Sequence, residues 1–389
     1  MKNPASISSK NRYQNLLGGM TPQIFLRDYW QKKPLLIRAA IPDFGGALTR
    51  QSLLDSCQRD DLESRFVSRQ ADAWQLEHGP FSKSEIKRWK QPWTVLVQGV
   101  NLVLPAGDEL LRAFNFIPYA RLDDLMVSYA TDGAGVGAHV DNYDVFLLQG
   151  SGTRRWRIGK QNDHRFIPDQ PLRILQNFVE QAEYVLESGD MLYLPPQWAH
   201  DGVAEASKTG DCMTWSIGFR APPAQELADQ FLNFLQDNLQ IAGRYSDPNL
   251  SLQKHPAEIS TAMLEQVEQI LEGVRWNKKL VQEFLGQMLT EPKPQVVFDP
   301  PLTPMSRAKF RATMRTKTLQ LDPRAQLLFS GRNFYLNGET EVVPLSARAV
   351  IRQFADQRCL PPSKEIADAT VAILHSWYTD GFVNFAARS

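Results

Sequence analysis

Alternating apolar and polar positions are densest between residues 121 and 220. Six short segments there have the period of two that is typical of β-strands: RLDDLMVSYA, HVDNYDVFLLQG, TRRWRIG, YVLESGD, DMLYLPP and MTWSIGFR. Many short strands at this spacing indicate a sandwich or a barrel. We therefore predict one mainly β domain over residues 21–220.

The pattern changes to a helical period after Ala221-Pro222-Pro223. Three segments with apolar residues three or four positions apart follow, within residues 224–241, 263–274 and 280–288. Helices with such broad apolar faces must pack against another surface, and soluble enzymes are often symmetric homodimers. Packing on the β domain alone is the simpler alternative, but we expect residues 221–292 to form a helical dimerisation region.

The last part of the chain predicts a small mixed domain. It follows a proline-rich segment typical of a linker, EPKPQVVFDPPLTP. Beyond it the pattern predicts a helix, a strand pair around Asn337-Gly338, two helices and a final strand at 381–385. This order is compatible with a winged-helix-like domain over residues 300–389.

The N-terminal residues 1–20 are mostly polar and end at Gly18-Gly19, which predicts a flexible leader. Thr21-Pro22 then has the character of a helix N-cap followed by proline at the first helical position.

Charge and cysteine content narrow the class of protein. The chain carries 43 Lys and Arg against 43 Asp and Glu, so no net field draws it to nucleic acid or to a membrane surface. Three widely spaced cysteines without a CxxC pair fit a reducing compartment. The sequence also has no run of about 18 apolar residues. We expect a soluble, cytoplasmic protein without membrane association.

A modest basic cluster in the C-terminal domain is the one local exception to this balance. Its members are Lys309, Arg311, Arg315 and Lys317. A solvated helix face explains such a cluster more simply than nucleic-acid contact does, so we expect no nucleic-acid binding by this domain.

Two histidines and one carboxylate in the β domain predict a mononuclear metal site. His139 and Asp141 are two positions apart, so on a strand both side chains project from one face. His200 follows a predicted strand and the Pro195-Pro196 pair that ends it. Two histidines and a carboxylate form the facial triad of non-haem iron(II) oxygenases, which leaves positions open for a co-substrate and dioxygen. A double-stranded β-helix, the cupin jelly-roll, explains how a barrel mouth would hold this metal.

His164 is the main competitor for the third ligand position. It lies in the polar stretch QNDHRF with no strand before it, and we interpret it as a surface histidine.

Five segments together resemble one enzyme family: FLRDYWQKKPLLIR, DDLMVSY, GVGAHVDNYDVFLLQGSGTRRWRIG, GDMLYLPPQWAH and SIGFRAP. They are similar to the YcfD/RoxA-type bacterial ribosomal oxygenases, which are 2-oxoglutarate oxygenases of the JmjC (cupin-4) type. The resemblance implies a JmjC barrel, a helical dimerisation region and a winged helix. It also implies hydroxylation of an arginine side chain in the sixteenth protein of the large ribosomal subunit, with iron(II), 2-oxoglutarate and dioxygen.

The resemblance also implies which residues bind 2-oxoglutarate. The distal carboxylate of 2-oxoglutarate needs a buried cation, and the resemblance points to Arg154, with Arg155 and Arg157 as alternatives on the same strand. A hydroxyl usually assists, and we choose Ser128 over Thr131. Ala130 occupies a position where relatives are expected to have serine, so the second contact to 2-oxoglutarate stays open.

A substrate arginine needs a carboxylate partner and apolar or aromatic walls for its methylene stem. The resemblance makes Asp124, Met126, Tyr143 and Ser216 the candidates. For Met126 a place in the core, and for Asp124 a turn cap, are equally simple explanations. Trp198 either walls the site or packs.

Two other functions are compatible with the same metal site. One is a 2-oxoglutarate oxygenase that hydroxylates histidine or demethylates N-methyl-lysine. The other is a metal-containing cupin without enzymatic activity, acting as a regulatory module. Such a module has no need of a buried cation for a distal carboxylate.

Overall fold

The computed structural model of the protein describes residues 13–45, 48–71, 73–90, 92–205, 210 and 212–386. Its helices in these ranges are α1 (Pro22–Asp28), α2 (Arg50–Ser56), α3 (Lys83–Ile86), α4 (Pro105–Arg112), α5 (Ala224–Asn238), α6 (Thr261–Leu271), α7 (Lys278–Thr290), α8 (Arg307–Met314), α9 (Arg348–Gln357) and α10 (Asp368–Thr379).

The strands up to the end of the β domain are β1 (Leu35–Ile37), β2 (Ser64–Gln70), β3 (Ala73–His78), β4 (Trp93–Val97), β5 (Leu122–Ala130), β6 (His139–Val140), β7 (Val145–Ser151), β8 (Thr153–Lys160), β9 (Ala182–Leu186), β10 (Met191–Leu194), β11 (Trp198–Glu205) and β12 (Cys212–Phe219). The later strands are β13 (Leu319–Leu321), β14 (Leu327–Ser330), β15 (Asn333–Leu336), β16 (Glu339–Glu341), β17 (Cys359–Leu360) and β18 (Val383–Phe385).

The β domain is a jelly-roll built on two antiparallel sheets. The larger sheet has the order β1-β10-β7-β12-β5-β4-β2-β3, and the smaller has the order β6-β11-β8-β9. From β5 to β8 the chain alternates between the two sheets, and β10 to β12 alternate in the same way. This alternation is the signature of a double-stranded β-helix, so the predicted fold class is confirmed.

Because side chains alternate along a strand, the two faces of the larger sheet pack into two different apolar cores. Val145 and Leu147 point into the barrel, where they pack with Trp156 and Ile158 of the smaller sheet. Phe146 and the other intervening residues face the opposite way, into an aromatic core shared with the N-terminal helices. Because both faces are buried, the first four residues of β7 are all apolar and its first six are all buried.

The N-terminal end of the described chain is anchored in this second core. Residues 1–12 of the predicted leader lie outside the described residues, whereas Leu16 and Leu17 are buried. α1 begins as its sequence predicts, because the Thr21 hydroxyl accepts a hydrogen bond from the Ile24 amide and Pro22 occupies the first turn.

A second compact unit comprises Pro222–Glu291 and Gln326–Gln357. Phe284 of α7 stacks edge-on against Phe231 of α5 inside this unit, with ring centroids 5.2 Å apart. The predicted hairpin between β15 and β16 is confirmed: Asn337 and Gly338 have φ angles of 51° and 89°, as a two-residue type I′ turn requires.

The first unit takes in the chain up to Ala221, Pro292–Ala325 and the residues from Arg358 onward. It therefore contains α8, α10 and the sheet β17-β13-β18 as well as the jelly-roll. The domain limits at 220, 292 and 300 stay predictions. None of the helices in the described ranges has the length and apolar character that crossing a bilayer requires.

Candidate metal centre

The structure brings His139, Asp141 and His200 together at one point of the barrel. β6 carries His139, Asp141 follows it directly, and the register of β6 on β11 places His200 opposite His139. One potential ligand atom from each of the three residues lies within 4.8 Å of the others. The His200 Nε2 and Asp141 Oδ2 atoms are 3.6 Å apart. This spacing and donor set fit a divalent metal ion.

Hydrogen bonds fix which nitrogen of each imidazole is available to a metal. The Nδ1 atom of His139 lies 2.9 Å from the Gly137 carbonyl oxygen, and that of His200 lies 3.1 Å from the Trp198 carbonyl oxygen. A carbonyl can only accept, so each Nδ1 carries the proton and donates it. Each Nε2 then presents a lone pair, which is the usual state of a histidine ligand.

Burial keeps His200 neutral at physiological pH. It lowers the pKa of His200 to about 4, with a further contribution from the neighbouring His139. A neutral imidazole needs to lose no proton before it coordinates a metal.

Gly137 makes the approach of the first ligand strand possible. It has a φ of 80°, and a Cβ at this position would lie 2.6 Å from Ile174 Cδ1. Only glycine fits such a conformation in such a space, and its carbonyl oxygen is the one that orients His139.

The triad lines a cavity of about 740 Å³ inside the first unit. The same cavity is lined by all the residues predicted to contact the co-substrate or the substrate, which are Arg154, Ser128, Asp124, Met126, Tyr143 and Ser216. The structure therefore places the whole predicted site around one space.

β5 sets the distance between two chemically different ends of this cavity. Asp124, Met126 and Ser128 alternate with core residues, so all three face the cavity. At about 3.4 Å per residue, the Cα atoms of Asp124 and Ser128 are about 14 Å apart. We call the two ends the acidic end, with Asp123 and Asp124, and the arginine end, with Ser128 and Arg154.

Arg154 is a buried cation that the described residues leave largely unpaired. It is 3% exposed, and its Nε and Nη2 atoms have no hydrogen-bond partner within the described ranges. Its guanidinium carbon lies 5.6 Å from the ring centroid of Trp156. A buried guanidinium without an anion is costly, so this position fits the carboxylate of a small ligand.

The two alternatives on β8 have protein partners instead. Arg155 forms ion pairs with Glu183 and Glu205, and Arg157 forms one with Asp201. Both side chains are about two-fifths exposed. Alternation along β8 thus separates one unpaired arginine, which lines the cavity, from two arginines with carboxylate partners.

Ser128 and Thr131 differ in how their hydroxyl groups are engaged. The Ser128 side chain is buried, lines the same cavity as Arg154, and its hydroxyl forms no hydrogen bond within the described part of the chain. The Thr131 hydroxyl is bound to the Trp93 backbone, where it accepts from the amide at 2.9 Å and donates to the carbonyl at 3.2 Å. Ala130 belongs to a small buried cluster with Cys212 and does not line the cavity.

Thr214 was missed by the sequence analysis although it lines the cavity opposite Ser128 on β12. Its hydroxyl donates to Gln149 Oε1 at 3.0 Å. Its alternation with Ser216 along MTWSIGFR is the signal that could have found it.

The acidic end also contains a cation that the sequence did not indicate. Lys293 Nζ lies 3.4 Å from Asp124 Oδ2 and 3.5 Å from Asp123 Oδ1. Burial raises the pKa of Asp124, while Lys293 acts against that rise.

The remaining candidates occupy the walls and the rim. Ser216 is buried, Tyr143 is 41% exposed, and the Met126 sulfur lies 3.7 Å from Arg65 Nη2. His164 is exposed and lines the same cavity, but it is not part of the cluster that could hold a metal. Trp198 packs against the apolar cluster inside the barrel rather than lining the cavity.

Comparisons with known proteins agree with this architecture. A JmjC domain model matches residues 109–227, and a ROXA-like winged-helix model matches residues 273–384. A probable ribosomal oxygenase of Haemophilus influenzae is 39% identical over 251 residues, which are 64% of this chain and 59% of that protein. The ribosomal protein uL16 3-hydroxylase of Escherichia coli is 31% identical over 317 residues, which are 81% of this chain and 84% of that protein.

A solved structure extends the likeness to nearly the full chain. YcfD, a ribosomal oxygenase from Escherichia coli, was solved in complex with cobalt and 2-oxoglutarate. It aligns with a TM-score of 0.80 at 28% identity and covers 95% of this chain and 99% of that one. The predicted resemblance and the predicted sequence of jelly-roll, helical region and winged helix are thereby confirmed. The chain belongs to the JmjC-type ribosomal oxygenases.

Proposed function

We propose that the protein is an iron(II)- and 2-oxoglutarate-dependent protein hydroxylase, and that its target is an arginine side chain of ribosomal protein uL16. The observation that carries the proposal is the unpaired, buried guanidinium of Arg154 in the cavity that also contains the His139, Asp141 and His200 cluster. A cupin that only bound a metal would have no use for this cation.

The triad would hold iron(II) through the two Nε2 atoms and one Asp141 oxygen. Three protein donors leave coordination positions open. Iron(II) with 2-oxoglutarate supplies the activation of dioxygen, so that one oxygen atom enters a substrate C–H bond and the other enters succinate as carbon dioxide is released. The carbonyls of Gly137 and Trp198 keep both imidazoles in the ligating tautomer throughout.

Arg154 and Ser128 would bind the distal carboxylate of 2-oxoglutarate. The Nε and Nη2 atoms of Arg154 are free to donate in parallel, which is the geometry that a carboxylate accepts best. Ser128 adds a hydroxyl donor from the facing strand. Two strands of the jelly-roll thus fix the orientation of the co-substrate.

The acidic end supports a cationic substrate. Asp124 supplies a buried carboxylate, and Met126 and Tyr143 supply an apolar and an aromatic wall for the methylene stem of an arginine. Ser216 lies beside Met126 in the register of β5 with β12 and could bond a guanidinium nitrogen. A neutral histidine would bring no positive charge to Oδ1 of Asp124, the oxygen that accepts no hydrogen bond among the described residues.

The identity of the target rests on the relatives. The Escherichia coli relative is a uL16 3-hydroxylase by name, so uL16 and position 3 of the arginine side chain are the first choice here. Because the proposed substrate is a ribosomal protein, we also propose that the reaction takes place in the cytoplasm.

We also propose that the helical region forms a homodimer. Leu232, Leu264 and Leu271 on α5 and α6 are each 58–59% exposed, and Met263, Val267 and Ile270 of α6 are at least 36% exposed. Exposed apolar side chains in this number on one helix support an interaction site.

A panel of peptides tests the substrate class. Consumption of 2-oxoglutarate in the presence of iron(II) would be measured with uL16 peptides that carry the arginine, the same peptides with lysine or citrulline in its place, and histidine- or methyl-lysine-containing peptides. We expect stimulation by the arginine peptide alone. Stimulation by a histidine peptide or a methyl-lysine peptide would move the assignment to that reaction, and no consumption with any peptide would favour a binding module.

A further inference from the structure

Lys293 reaches the substrate end of the cavity from outside the jelly-roll strands. It follows the helical region in sequence, yet its ammonium lies between the side chains of Asp123 and Asp124, 169 positions from the latter. The three residues belong to the same compact unit. The segment that carries Lys293 therefore supplies a side chain to the acidic end.

The contacts of Asp124 are divided unequally between its two oxygens. Oδ2 accepts a hydrogen bond from the Gly99 amide at 3.2 Å and one from Lys293 Nζ at 3.4 Å. Oδ1 accepts none within the described part of the chain, although Asp124 lines the cavity. The carboxylate is thus held by one oxygen and open at the other.

The backbone around Lys293 favours a fixed position. The residue stands between Pro292 and Pro294, and a residue that precedes proline is restricted to extended conformations. Its side chain is 35% exposed, so the ammonium keeps partial contact with water. Asp123 has a second cation, because Arg220 Nε lies 3.7 Å from its Oδ1 atom. For Asp124, Lys293 is the one cationic partner among the described residues.

We infer that Lys293 is a positioning residue for the substrate: it holds Oδ2 of Asp124 together with the Gly99 amide, and so presents an ionised Oδ1 to the guanidinium of the target arginine. This inference rests on the proposed function, in which Asp124 receives the substrate cation. Lys293 itself does not contact the reacting atoms, and it acts through the carboxylate.

Charge explains why such a residue is needed. Asp124 is buried and lies next to a second carboxylate, and both conditions favour its protonated form. A protonated carboxyl group would bind a guanidinium weakly. The charged or titratable groups that act on Asp124 are Lys293, Asp123 and the Tyr143 hydroxyl, and Lys293 is the one cation among them. Its loss leaves Asp123 as the charged neighbour, and that carboxylate opposes ionisation.

The test compares full-length wild-type protein with K293M, K293R and the matched control K364M, an exposed lysine of the same unit. Steady-state kcat and KM would be measured for the uL16 arginine peptide, and KM for 2-oxoglutarate would be measured alongside. For K293M we expect the peptide KM to rise about tenfold, the value of one charge-assisted hydrogen bond, with kcat and the KM for 2-oxoglutarate unchanged. K293R should restore most of the peptide KM, and K364M should match the wild type.

The pH profile supplies the readout that a purely structural role would not change. Peptide binding needs ionised Asp124, so removal of Lys293 should move the acid limb of kcat/KM for the peptide to higher pH. An unchanged peptide KM and acid limb in an active K293M protein would overturn the inference alone. Equal loss of affinity for peptide and for 2-oxoglutarate, without rescue by K293R, would also overturn it. A wild-type protein that turns over 2-oxoglutarate but hydroxylates no arginine would overturn the proposed target and the inference together.

Discussion

The two ends of the catalytic cavity carry opposite charge and are held in opposite ways. At the arginine end, Arg154 is buried with two nitrogen atoms that have no partner within the described ranges. At the acidic end, Asp123 and Asp124 are already in contact with Lys293. One end has a cation without an anionic partner among the described residues. The other has a pair of carboxylates whose charge a lysine partly neutralises.

This difference in charge pairing agrees with the ligand that we propose for each end of the cavity. A small dicarboxylate can supply the whole counter-charge of Arg154, so the protein needs to supply none. A flexible arginine side chain must instead find a carboxylate that is already ionised and oriented, which a neighbouring cation ensures. β5 joins the two ends, and at about 3.4 Å per residue it keeps the Cα atoms of Asp124 and Ser128 about 14 Å apart.

The largest effect is expected from the triad that lies in the same cavity. H139A should lose metal binding and reduce turnover more than about a hundredfold. Altering a residue that only hydrogen-bonds to a ligand reduces activity by up to about a hundredfold, and loss of a ligand itself should reduce it further. The fold should be retained, because the change removes no core packing. Metal content after dialysis, turnover and the melting temperature would be measured on one preparation. An H139A protein that turned over at the wild-type rate would refute the ligand assignment.

The next effect is expected at the arginine end. R154M should raise the KM for 2-oxoglutarate about a hundredfold, since it removes two charge-assisted hydrogen bonds. R155M is the matched control, because Arg155 lies on the same strand but pairs with Glu183 and Glu205. Equal effects of the two substitutions on the KM for 2-oxoglutarate would contradict the division of β8 into a ligand-binding and a paired face.

A smaller effect is expected at the acidic end. D124N keeps the shape of the side chain but removes its charge, so the KM for the arginine peptide should rise about tenfold. The KM for 2-oxoglutarate should not change. Steady-state kinetics with each substrate varied in turn would show whether the two ends are separate.

The double variant R154M/D124N sharpens the same comparison. Sites more than about 10 Å apart without shared partners usually have additive effects. For each KM, the change in the double variant should therefore equal the product of the changes in the two single variants. Strong non-additivity would show that the two ends act as one site.

The smallest effect on turnover is expected from the exposed apolar surface of the helical region. L264E places a charge in the proposed interface, so the protein should shift toward monomers while turnover per chain changes little. Light scattering over a range of protein concentrations would measure this. E265Q on the same helix is the control, and an unchanged mass for L264E would contradict the proposed interface.

Local patterns predicted those parts of the molecule whose structure depends on neighbours in sequence. His139 and Asp141 are only two residues apart, so their proximity follows from their spacing in the sequence, although Asp141 lies just past the end of β6. Asn337-Gly338 predicted its hairpin because few other residue pairs adopt two positive φ angles.

Long-range packing could not be predicted in this way. Nothing in EPKPQVVFDPP distinguishes Lys293 from any other lysine in a linker, since its partners lie 169 and 170 positions away. The second compact unit is discontinuous for a similar reason: whether Gln326–Gln357 packs with Pro222–Glu291 depends on tertiary contacts, not on periodicity. The resemblance pointed to Arg154, but alternation along the sequence left Arg155 and Arg157 open, and only the observed carboxylate partners of those two separate them from Arg154.

The most direct test of the central claim is mass spectrometry of a uL16 peptide after incubation with the protein, iron(II) and dioxygen, with and without 2-oxoglutarate. We expect the gain of one oxygen atom on an arginine residue, only when 2-oxoglutarate is present, and none with H139A. Consumption of 2-oxoglutarate without a gain of oxygen on the peptide would support the oxygenase assignment but contradict uL16 arginine as the target. The absence of both 2-oxoglutarate consumption and oxygen gain would contradict the enzymatic account.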